Sequence, residues 1–132
     1  PVVAAAGLTG PSGWVAVDAR TLETRFPGVY AIGDVTAIPL ANGMPLPKAG
    51  VFAHAEAKTV AERIADGYDG RTSDAVFDGH GSCWVELGDG RAGYAGGNFY
   101  AEPEPQVRIR RPGRPLHWSK VAFEKWWLHH WL

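Results

Sequence analysis

The sequence has 132 residues, 45% of them hydrophobic, with 17 glycines, 10 prolines and one cysteine. This length suffices for one modest domain with a real core. A single cysteine excludes an internal disulfide and any multi-cysteine zinc site, and no apolar run is long enough for a membrane-spanning helix.

The net charge is −1, but residues 106–125 hold six basic residues against one acidic residue. This asymmetry indicates either a surface that meets an anionic partner or a solvated basic face. The start at Pro1, without methionine or a signal-peptide pattern, leads us to expect an excised part of a longer protein.

The first part of the chain predicts short strands joined by loops. Residues 14–18 have the pattern of a short strand, and residues 29–33 indicate a buried parallel strand that ends at the polar tip Gly33-Asp34. The loop of residues 35–47 contains three prolines, and a connection of this length is usually functional. A carboxylate at a strand tip, followed by a helix N-terminus, is a common place to hold a sugar-phosphate or a cofactor. On their own, these residues predict an α/β ligand site.

An alanine-rich helix is predicted over residues 49–66. Alanine recurs at every fourth position, which lets such a helix lie close on a sheet. A polar row at the same spacing, formed by His54, Lys58 and Glu62, marks the side that faces water. Gly67 is expected to end the helix as a left-handed cap.

The second part predicts a hairpin, an edge strand and a C-terminal helix. Residues 82–87 and 92–95 flank a Gly-Asp-Gly turn, which is typical of a β-hairpin. Residues 107–110 alternate apolar and basic side chains, as an edge strand does. Residues 118–132 form a helix by composition and hold four of the six tryptophans. The fold class is therefore α+β, with short strands and one long helix followed by a small hairpin region and a C-terminal helix.

The helix predicted over residues 118–132 has apolar residues on two sides. At 100° per residue one arc holds Trp118, Val121, Leu128 and Leu132, and another holds Phe123, Trp127 and Trp131. Two apolar sides with basic residues between them suit a helix placed between protein and a second apolar medium. Tryptophan and lysine together are typical of an interfacial membrane helix, so we expect peripheral membrane contact. Packing on a neighbouring domain or a second subunit is the alternative.

Other groupings indicate little chemistry. Cys83 is interpreted as a buried small apolar residue. The histidines near the C-terminus have no metal-ligand spacing, so no metal site is predicted. The arginine-rich strand is flanked by acidic Glu102 and Glu104, which argues against nucleic-acid binding.

Two segments carry a family resemblance when they are read together. Residues 26–34, FPGVYAIGD, and residues 46–53, LPKAGVFA, resemble the two-dinucleotide-binding flavoproteins of the pyridine nucleotide-disulfide oxidoreductase family. Within that family, the two segments resemble the branch that contains the sulfide:quinone oxidoreductases and the flavoprotein of flavocytochrome c sulfide dehydrogenase. Residues 77–83, 97–100 and 117–125 are also similar to the C-terminal region of that branch, so the resemblance covers nearly the whole chain.

The resemblance implies the C-terminal portion of an FAD-dependent oxidoreductase. Residues 1–70 would end the FAD-binding domain, and residues 71–132 would form a hairpin-plus-helix region for dimerisation or membrane docking. The family's glycine-rich GxGxxG turn is absent from this chain and is expected upstream of Pro1.

The resemblance also assigns cofactor contacts. The family's Gly-Asp segment meets the flavin ribityl chain, and a carboxylate such as Asp34 accepts hydrogen bonds from hydroxyl groups. The family's helix points its N-terminus at the flavin pyrimidine edge, where free amides favour the negative charge of reduced flavin. Lys48 adds positive charge at that edge, or faces solvent. The residues assigned to FAD are Gly33, Asp34, Lys48, Ala49, Gly50 and Val51.

The implied function is electron transfer through FAD to a quinone or similar acceptor, with no catalytic residue assigned. The alternative is a non-catalytic dimerisation or membrane-docking module of the same flavoprotein. Five aromatic residues are candidates for the lining of an apolar quinone pocket, and packing in the core is the alternative for them: Tyr30, Phe52, Tyr94, Phe99 and Tyr100.

One departure from the family concerns sulfide chemistry. Sulfide:quinone oxidoreductases keep a redox cysteine shortly before the Gly-Asp strand, whereas residues 14–28 contain none. This argues against thiolate-based sulfide oxidation.

We expect a cytoplasmic protein, peripheral on the inner face of the cell membrane. The isolated chain is expected to be inactive, to bind FAD weakly or not at all, and to self-associate through open strand edges.

Overall fold

Residues 2–131 form three α-helices and one small sheet, joined by long loops. The computed structural model describes residues 2–131. In chain order the elements are α1 (Val2–Ala5), a 3-10 turn (Gly33–Val35), α2 (Gly50–Tyr68), β1 (His80–Gly88), β2 (Arg91–Asn98), β3 (Gln106–Gly113) and α3 (Arg114–Trp131). The three strands form an antiparallel sheet in the order β1-β2-β3. The predicted mixed α+β class is confirmed.

The strands predicted at residues 14–18 and 29–33 are wrong. Val15 forms single bridges with Thr9 and Thr36, and Tyr30 forms a single bridge with Glu23. A strand needs hydrogen bonding to a neighbour over several residues, and within residues 2–131 these two segments pair only at these isolated positions. They are therefore loops, although Val15 is fully buried among them.

Side-chain hydrogen bonds give these loops their shape. One carboxylate oxygen of Asp18 accepts the amides of Thr21 at 2.7 Å and Arg20 at 2.9 Å. The bond from the Thr21 amide is the main reason that the pKa of Asp18 lies below its usual value. The Tyr100 hydroxyl donates to the Ala19 carbonyl at 2.8 Å and so ties this region to the sheet.

Helix α2 confirms the predicted alanine-rich helix, but its end and its buried face differ from the prediction. Gly67 lies inside the helix, and the left-handed glycine is Gly70, with φ +69°. Phe52, Glu56 and Thr59 are its buried residues, whereas the alanine row is only partly covered. The Phe52 ring buries more apolar surface than a row of alanine methyl groups, so it sets which side of α2 packs inward.

The hydrophobic core lies beneath α2 and joins both parts of the chain. Phe52 meets the edges of Phe77 and Phe99, with ring centroids 6.4 Å and 5.0 Å apart. The buried cluster consists of Leu22, Ile38, Leu40, Leu46, Phe52 and Phe77. Because Phe77 comes from beyond residue 70, the core spans the predicted domain boundary, which stays a prediction.

The sheet confirms the hairpin and the edge strand. Strands β1 and β2 pair through a tight turn at Asp89 and Gly90, whose φ angles are +50° and +64°, as a primed hairpin turn requires. Strand β3 pairs with β2 and forms one edge of the sheet. Ile109 on this edge is 80% exposed. Self-association through such an edge stays a prediction.

Helix α3 confirms the predicted C-terminal helix but begins earlier, at Arg114. Pro115 fits the first turn of a helix, where its missing amide would have no partner. The helix is anchored to β1, because the Trp84 indole N–H donates to the Ser119 hydroxyl at 2.9 Å. Leu132, which the predicted helix includes, lies outside the described residues.

Strand β1 passes directly over the ring of Phe52 at Gly81. A Cβ atom at Gly81 would lie 2.2 Å from Cε1 of Phe52, so a side chain there forces the buried ring to move. We expect Gly81→Ala to lower the free energy of unfolding by about 2 kcal/mol through overpacking. Gly93→Ala on β2 is the matched control, because its Cβ would meet its nearest atoms at 3.8 Å and 3.9 Å. Urea denaturation of both variants measures the difference, and equal stabilities would contradict this close approach.

Candidate functional site

The 3-10 turn at Gly33–Val35 lies against helix α2. Gly33 has φ +70°, and its amide donates to carboxylate oxygen Oε2 of Glu56 at 2.6 Å. A Cβ atom at Gly33 would lie 3.2 Å from that of Ala53, so a glycine and an alanine let turn and helix meet closely. The predicted small-residue face of the helix therefore packs on this turn at Ala53.

The Glu56 side chain that holds the turn is only 1% exposed. Burial raises the pKa of its carboxyl above the usual value, the Gly33 amide opposes that shift, and the nearby charge of Asp34 adds to it. Glu56, Asp34 and Lys48 line a small, partly open cavity of about 10 Å³. A space of that size holds about one water molecule, so it is no ligand pocket itself.

Asp34 carries an exposed side chain while its backbone is fixed. The Lys48 ammonium donates to the carbonyl of Asp34 and, at 3.2 Å, to that of Thr36. The same ammonium lies 3.3 Å from the centre of the Trp14 ring, a cation–π contact. Lys48 thus clamps the backbone of the turn through its carbonyls, whereas Glu56 binds an amide of the turn.

Helix α2 starts with uncapped amides. Ala49 precedes its first residue in an extended conformation and makes no side-chain cap, and the first turn contains no acidic residue. The first amides of a helix lack intrahelical acceptors and carry partial positive charge. Gly50 is exposed, and the space where its Cβ would lie is open. This end of the helix therefore suits a ligand that brings hydrogen-bond acceptors or negative charge.

A groove of about 660 Å³ opens beside the start of α2. Its walls come from the first turns of α2, from β1 and from the inner side of α3. Trp84 and Phe123 stack within it, with ring centroids 5.1 Å apart and an angle of 28° between the ring planes. The residues that line it are Ala49, Gly50, Val51, His54, Ser82, Cys83, Trp84, Lys120, Phe123, Glu124, Trp127 and Leu128. A largely apolar cleft with few polar groups is typical of small-molecule sites.

Charged groups at the groove tie α3 to the sheet. Oε1 of Glu86 lies 3.2 Å from Nδ1 of His117 and 3.4 Å from the Lys120 ammonium. Desolvation raises the pKa of Glu86, but the hydrogen bonds from His117 and Lys120 outweigh it and hold the pKa below its usual value. Lys120 thereby keeps its position at the groove wall.

The residues assigned to the cofactor line two spaces that share Ala49. Ala49 lines both the small cavity beside Asp34 and the groove beside Gly50. The members of the small-cavity group are Gly33, Asp34, Lys48 and Ala49, and those of the groove group are Ala49, Gly50 and Val51.

Two expectations are corrected, and one open alternative is decided for three residues. Cys83 is half-buried and lines the groove, because its strand forms one of the groove walls. His54 does not face water freely, since its ring meets those of Trp127 and Trp131 at 5.3 Å and 6.4 Å. Of the candidate quinone aromatics, Phe52, Phe99 and Tyr100 belong to the core or pack against it. Residues far apart in sequence form the groove, so no local pattern indicates it.

Among residues 2–131, no three histidine, cysteine, aspartate or glutamate side chains are placed to hold a metal ion. None of the helices in this part of the chain has the length and hydrophobicity that crossing a bilayer requires.

Comparison with known proteins identifies the relatives of this chain. The mitochondrial sulfide:quinone oxidoreductase of Schizosaccharomyces pombe is 31% identical over 115 residues, which cover 86% of this chain and 23% of that protein. The crystal structure of the sulfide:quinone oxidoreductase from Aquifex aeolicus matches with a TM-score of 0.79 and 26% identity, over 96% of this chain and 31% of that chain. The chain is a homologue of the sulfide:quinone oxidoreductases. The predicted resemblance is therefore confirmed, and the chain spans less than a third of either sulfide:quinone oxidoreductase.

A more distant likeness concerns the fold alone. A chain of the mitochondrial ATP synthase of Tetrahymena thermophila matches with a TM-score of 0.63 and 21% identity, over 74% of this chain and 22% of that chain. No family model matches the sequence.

The clamp formed by Lys48 can be tested by removing its charge. We expect Lys48→Met to lower the free energy of unfolding by about 1 to 2 kcal/mol, because two backbone carbonyls lose a charged donor and Trp14 loses its cation. Lys58→Met, at an exposed position of α2, is the control and should change stability by less than about 0.5 kcal/mol. Urea denaturation measures the free energy of unfolding of both variants. An unchanged value in Lys48→Met would show that the clamp does not stabilise the fold.

Proposed function

We propose that this chain is part of a longer FAD-dependent oxidoreductase that passes electrons through FAD to a quinone or similar acceptor. In this proposal the chain supplies the ribityl and pyrimidine side of the FAD site. The observation that carries it is that Ala49 lines a small cavity together with the exposed Asp34 and also lines the groove together with the uncapped start of α2. The homology to sulfide:quinone oxidoreductases supports the same proposal.

The available donors and acceptors fit FAD. The Asp34 carboxylate accepts hydrogen bonds from ribityl hydroxyls, and the amides at Gly50 and Val51 donate to the acceptor-rich pyrimidine edge. The absence of acidic residues from the first turn of α2 keeps the potential there positive. When bound, FAD supplies two-electron redox chemistry to the site.

The groove beside the helix start is proposed as the place for the acceptor. A quinone is a flat ring with two carbonyl oxygens, and the stacked Trp84 and Phe123 rings offer flat apolar surface beside it. Lys120 and His54 place N–H donors on the same walls. An apolar lining also excludes water from the ring, which strengthens these polar contacts.

The role of Asp34 can be tested in the full-length protein purified without added flavin. We expect Asp34→Asn to raise the FAD dissociation constant about tenfold, because a neutral amide accepts hydrogen bonds more weakly than a carboxylate. Asp89→Asn removes a carboxylate from the hairpin turn and is the matched control. Flavin absorbance relative to protein absorbance measures retention. Wild-type protein that takes up no flavin would overturn the proposed function.

The second candidate function is docking to a membrane surface, which the outer side of α3 favours. Trp118 is 66% exposed and Trp126 is 50% exposed, and Lys125 and His130 are exposed beside them. Exposed tryptophan next to basic side chains is typical of a helix that lies in the plane of a membrane interface. In this proposal α3 places the groove near the bilayer that dissolves an apolar acceptor.

Vesicle flotation tests the docking. We expect the double variant Trp118→Ala/Trp126→Ala to bind anionic vesicles at least about tenfold more weakly, because two large apolar surfaces no longer enter the interface. Ile109→Ala removes an equally exposed apolar side chain from β3 and should leave binding unchanged. Equal flotation of the wild type and the double variant would exclude α3 as the docking element.

A further inference from the structure

We propose that Glu56 is a positioning residue: its buried carboxylate fixes the Gly33–Asp34 turn on helix α2 and so sets the place of Asp34 relative to the helix start. This inference rests on the proposed function, because Asp34 and the helix start are its proposed cofactor contacts.

The first argument is the rigidity of the anchor. Glu56 lies between Phe52 and Thr59 on the buried side of α2, so the helix and the core determine where its carboxylate can be. Its Oε2 atom lies 2.6 Å from the Gly33 amide. A helix residue six positions after Gly50 thereby fixes a turn that lies 16 residues before Gly50 in the chain, at Asp34.

The second argument is that the turn has little else to hold it on this side. Gly33 makes close contact with Ala53, which offers only a methyl group. The turn contains no buried residue of its own. Without the acceptor at Glu56, the Gly33 amide would lose its side-chain partner at a cavity with room for about one water molecule.

The third argument concerns charge. The charge nearest in effect to Glu56 is that of Asp34 in the turn, and the Lys48 side chain lines the same small cavity. The bond from the Gly33 amide is the hydrogen bond that the structure shows for this carboxylate. A buried carboxyl costs stability unless it is hydrogen-bonded, so its presence here is explained by the bond that it makes to the turn.

The variants separate the hydrogen bond from the charge. Glu56→Gln keeps an oxygen that accepts the Gly33 amide, whereas Glu56→Leu has similar size and no acceptor. Glu62→Leu, at an exposed position of the same helix, is the control. Circular dichroism checks that each variant folds, and Glu56→Gln keeps the test informative if Glu56→Leu does not.

The first measurement does not involve the cofactor. Hydrogen–deuterium exchange of the Gly33 amide is followed in the chain without added flavin. We expect Glu56→Leu to exchange at least about tenfold faster than the wild type, and Glu56→Gln and Glu62→Leu to stay within about threefold of it. Unchanged exchange in a folded Glu56→Leu, or loss of protection in Glu56→Gln equal to that in Glu56→Leu, would overturn the positioning role.

The second measurement uses the full-length flavin-loaded protein. We expect the FAD dissociation constant to rise about tenfold in Glu56→Leu and to return close to the wild-type value in Glu56→Gln. Faster Gly33 exchange with unchanged FAD affinity in Glu56→Leu would overturn the link from Glu56 to the cofactor. If Asp34→Asn also leaves FAD affinity unchanged, the proposed function fails while the contact between Glu56 and the turn stands.

Discussion

The hydrogen bond between the Gly33 amide and the buried Glu56 carboxylate is the contact on which the candidate site depends. It joins a loop that has little regular structure to the longest helix described, through a side chain that is itself buried. The loop gains a fixed position without strand pairing, because a rigid helix residue provides the acceptor. Lys48 completes the arrangement by donating to the carbonyl of Asp34. The backbone of the turn is thus held by an acid and a base, while the Asp34 side chain stays exposed.

The first 49 residues as a whole are held in place in the same way, without strand pairing. They form no strand among the described residues, yet the loops bury Val15, Leu22 and Ile38. Backbone groups that a sheet would have paired are instead paired through turns and long-range contacts, such as the Phe77 amide with the Arg20 carbonyl at 2.8 Å. Apolar side chains anchor the segment and hydrogen bonds orient it. This combination produces the close approach of turn and helix that the proposed FAD contact requires.

Helix α3 has apolar residues both on the groove wall and on its exposed outer side, which explains why it lacks a single apolar face. Its inner side carries Phe123 and Trp127, which wall the groove together with Trp84. Its outer side exposes Trp118 and Trp126. An electron acceptor that dissolves in a membrane would meet both surfaces in turn. The proposed acceptor site and the proposed docking surface are therefore two sides of one helix.

The sequence by itself determined the elements whose signals are local. These are the alanine-rich helix, the hairpin around the Gly-Asp-Gly turn, the basic edge strand and the tryptophan-rich helix, together with the two motifs that point to FAD. Only the tertiary structure decided that residues 29–33 are not a strand, that Glu56 is buried on the inner side of α2, and that His54, Trp84 and Lys120 share a groove. The reason is physical: periodicity and turn chemistry act over a few residues, whereas burial and the groove depend on which distant segments come into contact.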